Sequence, residues 1–144
     1  MRTVTMTVGE SAQTEKIPSA AEWPVFAQKL LPSLKPGVVI AVSGDLGAGK
    51  TTFIQALAKE LGVTSFVPSP TFALLRTYTL TKPKNGIHRL IHVDAYRIEN
   101  EQELLPLDLD EELADGKSIL VIEWPEKIPR WIQSRPVKVA LRLS

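Results

Sequence analysis

Residues 38–61 read VVIAVSGDLGAGKTTFIQALAKEL, and this stretch decides the fold. It opens with the unbroken apolar run 38–42, a pattern typical of a strand that is covered on both faces of its sheet. A glycine-rich segment follows this run. Beyond it, apolar side chains recur at helical spacing, at Ile54, Leu57, Ala58 and Leu61. The stretch therefore predicts a buried strand, a loop and an amphipathic helix over about 51–61.

The loop between this strand and helix, from Gly44 to Thr51, matches the phosphate-binding pattern G-x-x-x-x-G-K-[ST] at every position. Glycines allow backbone conformations in which successive N–H groups point at phosphate oxygens, and the helix N-terminus adds its positive dipole there. Lys50 supplies a positive charge for the β- and γ-phosphates, and Thr51 supplies a hydroxyl for Mg²⁺. We therefore predict that this P-loop binds a nucleotide with Mg²⁺ through Asp45, Leu46, Gly47, Ala48, Gly49, Lys50, Thr51 and Thr52.

Two carboxylates follow apolar runs, and the carboxyl ends of parallel strands are where open α/β sheets bind ligands. Glu123 closes the run 118–122, which is the form of a Walker B segment, and we predict that it binds Mg²⁺ together with Thr51. A strand-end acid that caps a loop is the alternative. Asp94 follows the run 91–93 and could assist the metal, orient the attacking water, or cap a helix near Glu99.

The segment Ser69–Phe72 lies between the P-loop helix and the next predicted strand, where switch I lies in small GTPases. Thr71 in this segment could sense the γ-phosphate through the metal, so we predict a catalytic role for it. A connection stiffened by Pro70 is the alternative interpretation.

An aromatic residue and a histidine pair near the predicted site allow further interpretations. Trp124 directly follows Glu123 and could shape a nucleotide-facing or partner-facing surface, or simply pack. His88 and His92 lie four residues apart on one predicted strand and therefore share a face, but without cysteine or a third ligand nearby a zinc site is not expected.

The remaining pattern predicts an α/β protein with a P-loop NTPase-like three-layer fold, formed as a single domain over residues 1–144. A strand is predicted over 2–8, and a helix with apolar positions over 26–34 that ends at Pro36 and Gly37. Strands over 73–80 and 87–93 are joined through an Asn-Gly turn, which predicts an antiparallel hairpin beside a mainly parallel central sheet. Two short helices are predicted over 100–114 and a closing strand over 137–143.

The composition limits the possible classes of function. The chain has 144 residues, 44% of them hydrophobic and 23% charged, with a net charge of +1 and no cysteine. No apolar run approaches the roughly 20 residues that span a bilayer, and no secretory signal opens the sequence. We expect a cytoplasmic protein without a membrane partner. The balanced charge argues against autonomous binding to DNA or RNA.

The identity of the nucleotide and its fate follow from what the chain lacks. Guanine recognition usually depends on an Asn-Lys-x-Asp segment, and its absence from this sequence favours ATP. A P-loop kinase for a small molecule would normally carry an arginine-rich lid that excludes water, and the scattered arginines argue against that alternative. A nucleotide switch with negligible turnover stays open as a third hypothesis.

Four motifs together resemble the TsaE family, the bacterial P-loop ATPases of tRNA threonylcarbamoyladenosine synthesis. They are residues 44–53, 69–72, 92–97 and 122–126, and they occur in the family's order across roughly 38–126. The resemblance implies a small cytoplasmic ATPase that is weakly active alone and works with TsaD and TsaB. Those proteins place the threonylcarbamoyl group on adenosine 37 of tRNAs that read codons beginning with A, so tRNA would be an indirect partner.

The resemblance also assigns roles to individual residues. Thr51 and Glu123 match the Mg²⁺ ligands of the family, and Asp94 and Trp124 match residues that its activity requires. A threonine near the adenine is usual in the first helix of the family, and Trp23 stands at the comparable position here.

Overall fold

The computed structural model describes residues 2–8, 11–17, 19–45, 47–63, 75–135 and 139–144. Within these ranges the strands and α-helices, in chain order, are β1 (Arg2–Val8), β2 (Ser11–Ile17), α1 (Trp23–Leu30), β3 (Val39–Gly44), α2 (Lys50–Glu60), β4 (Leu75–Lys84), β5 (Ile87–Asp94), α3 (Leu109–Leu113), β6 (Ser118–Glu123), α4 (Pro129–Ser134) and β7 (Val139–Leu143). Short 3₁₀ helices cover Ala20–Glu22, Leu31–Ser33, Glu101–Leu107 and Pro125–Lys127. No helix in the described ranges is long and apolar enough to cross a membrane.

The strands form one sheet in the order β2-β1-β7-β3-β6-β5-β4. The central strand β3 is parallel to both neighbours, β6 and β7, and β6 is parallel to β5. Antiparallel pairs lie at both edges, β1 with β2 and β7 on one side and β4 with β5 on the other. The predicted mainly parallel centre with an antiparallel hairpin is therefore confirmed.

The β4–β5 hairpin turns at Asn85 and Gly86, whose φ angles are 53° and 80°. Positive φ at both central residues matches the twist of the flanking strands, which is why Asn-Gly favours this two-residue turn. The side chain of Asn85 also donates to the carbonyl oxygen of Leu31 at 3.0 Å. The hairpin is thereby attached to the end of the first helical segment.

Helices cover both faces of the sheet, each over its own apolar core. On one face α1 and α2 pack on alternate residues of the strands, and the rings of Trp23, Phe26 and Phe53 lie 5.8–6.2 Å apart there. On the other face Leu104, α3 and Ile128 cover the intervening residues. Because successive strand residues point to opposite faces, the two cores account for the continuous apolar runs of β3 and β6.

Three local features differ from the sequence-based expectation. Helix α1 ends at Leu30 and continues only as a 3₁₀ turn, because Pro32 has no N–H to extend the α-helical bonding. The α-helix predicted as far as 34 is therefore wrong in its last turn. Strand β2 was not predicted, since it is largely polar and is defined by its pairing with β1. The short helix α4 also carries no strong periodic signal.

A polar cluster holds the amino ends of β5 and β6 together, away from the P-loop. Arg89 donates to Asp115 at 3.1 Å and to Ser118 at 3.0 Å, and it also pairs with Glu112 at 3.2 Å. Burial alone would raise the pKa of Asp115. The N–H of Lys117, the Ser118 hydroxyl and Arg89 outweigh that effect, so the pKa of Asp115 lies below its ordinary value of 3.8.

Candidate nucleotide-binding site

The site lies where β3, β5 and β6 end at the same edge of the sheet. Glu123 is in register with Val42 on one side and with Asp94 on the other, so the three strand ends are adjacent. A cavity of about 260 Å³ opens there between the P-loop and these strand ends. It is lined by Gly47, Gly49, Lys50, Thr51, Thr52, Asp94, Tyr96, Glu123 and Trp124.

Most of the predicted site residues therefore meet at one cavity, as the sequence indicated. Asp45 and Ala48 lie in the same loop but do not line the cavity. Ala48 is buried, and its N–H donates to the carbonyl oxygen of Asp45 at 3.1 Å, which stabilises the loop internally. Leu46 and Thr71 lie outside the described residues, as does the segment Ser69–Phe72.

Two glycines of the P-loop are required by close approaches. A side chain on Gly44, whose φ is 141°, would overlap the carbonyl oxygen of Leu143 in β7. Gly49 precedes α2 with φ of 102°, and a Cβ atom there would lie 2.9 Å from Cζ2 of Trp23. Trp23 is 2% exposed and packs beneath the loop. Trp23 therefore supports the P-loop from the core.

The amino group of Lys50 is held at the mouth of the loop. It donates to the carbonyl oxygens of Gly44 and Asp45, the latter at 2.8 Å, and lies 4.2 Å from the centroid of the Trp124 ring. An ammonium group over an aromatic face is attracted by the ring's negative face. The predicted phosphate-binding lysine is thus buried and already directed at the P-loop.

Trp124 is placed over Lys50 by an unusual backbone conformation. Its φ of 61° and ψ of 53° are left-handed, which costs a bulky residue about 1–3 kcal/mol and is found mainly at functional sites. Its N–H donates to the carbonyl oxygen of Val42 at 3.2 Å, and its ring lies 5.1 Å from that of Tyr96. The backbone bond to the central strand and the aromatic contact keep the indole at the cavity.

Glu123 connects the P-loop to the core of the sheet. The Thr51 hydroxyl donates to Oε1 at 3.3 Å, and Nε2 of His92 lies 2.7 Å from Oε2. A threonine hydroxyl beside a carboxylate suits Mg²⁺, which prefers oxygen ligands and usually completes its shell with water and phosphate oxygens. No group of three or more His, Asp or Glu side chains in the described ranges could hold a metal ion. The hydroxyl of Thr51 and the carboxylate of Glu123 are donors that would fit Mg²⁺.

Asp94 is engaged locally. Its Oδ1 accepts the N–H of Tyr96 at 3.0 Å, which closes a tight turn after β5 while the residue lines the cavity. The next helix is capped by Asn100, whose side chain accepts the N–H of Gln102 at 2.9 Å. The interpretation of Asp94 as a helix cap near Glu99 is therefore wrong.

Sequence reasoning missed two residues of this site, Tyr96, which lines the cavity, and His92, which contacts Glu123. It weighed His92 as half of a histidine pair and included it in the motif 92–97 without a role, whereas in the structure its side chain is 5% exposed and bonded to Glu123. The signal was present, because His92 and Asp94 are two residues apart on one strand and so share a face. Using it required knowing that β6 is the neighbour of β5.

Comparison with known proteins identifies relatives along most of the chain. The family model described as "Threonylcarbamoyl adenosine biosynthesis protein TsaE" matches residues 17–144. The protein "tRNA threonylcarbamoyladenosine biosynthesis protein TsaE" of Bacillus subtilis is 38% identical over 108 residues, which are 75% of this chain and 63% of that protein. The protein of the same name from Rickettsia bellii is 34% identical over 119 residues, 82% of this chain and 78% of its own length.

A solved structure extends the likeness to the fold. The crystal structure of YdiB from Bacillus subtilis is 30% identical, with a TM-score of 0.59, and covers 90% of this chain and 69% of that chain. The chain spans roughly three fifths of the length of the Bacillus TsaE relative. Since the family model covers far more than half of the sequence, the chain belongs to the TsaE family.

Proposed function

We propose that this protein binds ATP with Mg²⁺ and hydrolyses it slowly to ADP and phosphate. The observation that carries the proposal is the convergence of Lys50, Thr51 and Glu123 on one cavity at the carboxyl ends of the parallel strands. A buried lysine, a hydroxyl and a carboxylate are the groups that P-loop NTPases use to bind phosphates and the metal.

Each residue of the site would have its own role in binding the nucleotide and hydrolysing it. Lys50 would exchange its two carbonyl partners, Gly44 and Asp45, for phosphate oxygens, and the P-loop N–H groups would bind the remaining oxygens. Thr51 and Glu123 would hold Mg²⁺, which when bound neutralises charge on the phosphates. Asp94 lines the same cavity and is our candidate for orienting the attacking water. Thr71 keeps its proposed role as a sensor of the γ-phosphate.

Trp124 contributes by covering Lys50. Its ring lies 4.2 Å from the ammonium group, which leaves Lys50 only 5% exposed to solvent. In a site with less water, the attraction between that charge and a phosphate is stronger. This is a physical reason for a tryptophan directly after the metal-binding glutamate.

We further propose that the ATPase serves the synthesis of N6-threonylcarbamoyladenosine at position 37 of tRNAs that read codons beginning with A. The support is the family membership and the names that its relatives carry. The partners would be TsaD and TsaB, with tRNA contacted through them, and the reaction would take place in the cytoplasm.

Phosphate release from ATP tests the proposal. The purified protein should release phosphate slowly and faster in the presence of TsaD and TsaB, and Lys50→Ala should abolish the release. Lys59→Ala is the matched control, because Lys59 is an exposed lysine in the last turn of the same helix. Transfer of phosphate to a small acceptor in place of water would refute the ATPase proposal and favour the kinase alternative. Phosphate release that persists in Lys50→Ala would exclude the P-loop as its source.

A further inference from the structure

His92 and Glu123 form a buried pair between neighbouring parallel strands. Both side chains are 5% exposed, and Nε2 of His92 lies 2.7 Å from Oε2 of Glu123. A carboxylate oxygen only accepts hydrogen bonds, so Nε2 carries the proton and donates. The contact is short and shielded from water.

The pair lies on the face of the sheet that carries the core under α1 and α2, and Asp94 of β5 and Arg76 of β4, which is paired with His92, share that face. His92 alternates with Ile91 and Val93, which belong to the other core, so it points to the same side as Leu90. That side is covered by α1 and α2, the helix that begins with the P-loop lysine. A buried N–H donor without an acceptor destabilises the folded protein, and the carboxylate of Glu123 is the acceptor for His92.

The two oxygens of Glu123 are therefore used differently. Oε2 is taken by His92 from the side of β5, whereas Oε1 is directed at the hydroxyl of Thr51 at 3.3 Å. The two oxygens are chemically equivalent, but while one of them accepts from His92 only the other faces the P-loop. The histidine thus limits Glu123 to one oxygen at the P-loop.

We propose that His92 is a positioning residue that holds Glu123 so that one oxygen, Oε1, is presented to Mg²⁺ beside Thr51. This inference rests on the proposed function, since it concerns the metal that accompanies the nucleotide. Hydrogen bonds to a metal-binding side chain fix its orientation, and their loss typically lowers metal affinity by about 10–100-fold. His92 itself touches neither the nucleotide nor the metal.

Two conservative substitutions separate positioning from simple packing. In His92→Gln the amide nitrogen is as many bonds from Cβ as Nε2 is, so it can still donate to Oε2. In His92→Asn the amide is one bond shorter and matches the place of Nδ1, so it cannot reach Glu123. Leu90→Val is the matched control, because it alters the packing of the same face two residues away on β5.

The readout is the binding of the ATP analogue AMPPNP, measured by calorimetry with MgCl₂ and again with EDTA. In the wild-type protein Mg²⁺ should tighten binding. His92→Asn should reduce the gain in AMPPNP affinity caused by Mg²⁺ by about 10-fold or more, while its affinity in EDTA should change little. In His92→Gln and Leu90→Val this gain should stay within about threefold of the wild-type value. Circular dichroism checks that each variant is folded. If His92→Asn is unfolded, His92→Met replaces it as the variant without a donor.

The possible failures are distinguishable. If the wild-type protein does not bind AMPPNP, or binds it without any effect of Mg²⁺, the proposed function fails and this inference fails with it. If the wild-type protein shows the Mg²⁺ effect and His92→Asn shows it equally, only the positioning role is overturned. Equal losses in the asparagine and glutamine variants would also overturn it, because the hydrogen bond to Oε2 would not be what matters.

Discussion

Replacing Gly49 with alanine should destabilise the folded protein far more than the same change at Gly47. Both glycines belong to the P-loop and have positive φ angles, 102° at Gly49 and 80° at Gly47. They differ in their surroundings. A Cβ atom on Gly49 would lie 2.9 Å from Cζ2 of the buried Trp23, whereas a Cβ atom on Gly47 would meet no atom of the described residues within 4 Å, its chain neighbours aside.

Two contributions to the free energy of unfolding determine how much the stabilities of the two variants differ. A non-glycine residue at positive φ costs about 1–3 kcal/mol, and this term applies to both variants. Overpacking against a buried ring adds about 1–3 kcal/mol, and this term applies to Gly49→Ala alone. We therefore expect Gly47→Ala to lower the free energy of unfolding by about 1–3 kcal/mol and Gly49→Ala by about 2–6 kcal/mol.

A double-mutant cycle with Trp23→Phe isolates the contact, because phenylalanine is shorter and leaves the position of Cζ2 empty. Urea unfolding followed by circular dichroism gives the free energy for each variant. Trp23→Phe should destabilise the wild-type background by about 1–2 kcal/mol through lost burial. In the Gly49→Ala background Trp23→Phe should cost little, since it also relieves the overlap, which gives a coupling energy of about 1–2 kcal/mol.

Additivity would refute this reasoning. If the two changes at Gly49 and Trp23 add within about 0.5 kcal/mol, the tryptophan does not support the loop through this contact. Gly47→Ala and Trp23→Phe are the control pair, and their effects on the free energy of unfolding should be additive. A Gly49→Ala variant as stable as Gly47→Ala would contradict the close approach directly.

Three further outcomes are expected from the site and the fold. Glu123→Ala should raise the Mg²⁺ concentration needed for AMPPNP binding by about tenfold or more, and Asp94→Ala should raise it by less. The reason is that Glu123 contacts the P-loop threonine, whereas Asp94 is engaged in a turn. Equal Mg²⁺ titration curves for the two variants would show that the two roles are misassigned. The tryptophan emission of the protein should change when AMPPNP draws Lys50 away from the indole, and this change should be absent in Trp124→Phe. Because the pKa of Asp115 is lowered on folding, its carboxylate stabilises the protein fully above its ordinary pKa of 3.8, and this stabilisation is lost as the pH falls further. Asp115→Asn should therefore be less stable than the wild-type protein at neutral pH and lose less of its free energy of unfolding on acidification. Urea unfolding at several pH values measures both effects.

Short-range patterns predicted much of the fold. The P-loop and its helix, the run that ends at Glu123, and the Asn-Gly hairpin are each encoded by residues close to one another in the sequence, and the structure places each where it was expected. Local conformation of this kind depends on the backbone freedom of glycine and on the alternation of side chains, which neighbouring residues determine. The errors lie where the local signal is weak, in the polar edge strand Ser11–Ile17 and in the helix turn at Pro32.

The sequence by itself determined which groups the site would contain: a lysine, a hydroxyl and a carboxylate at the end of a buried strand. Only the tertiary structure decided how these groups are held. The order of strands places β5 beside β6, and this adjacency brings His92 to Glu123. The packing of α1 under the P-loop places Trp23 against Gly49, and a left-handed backbone turns Trp124 over Lys50. These contacts join residues that are about 26–74 positions apart or depend on a strained conformation, and no local pattern encodes them.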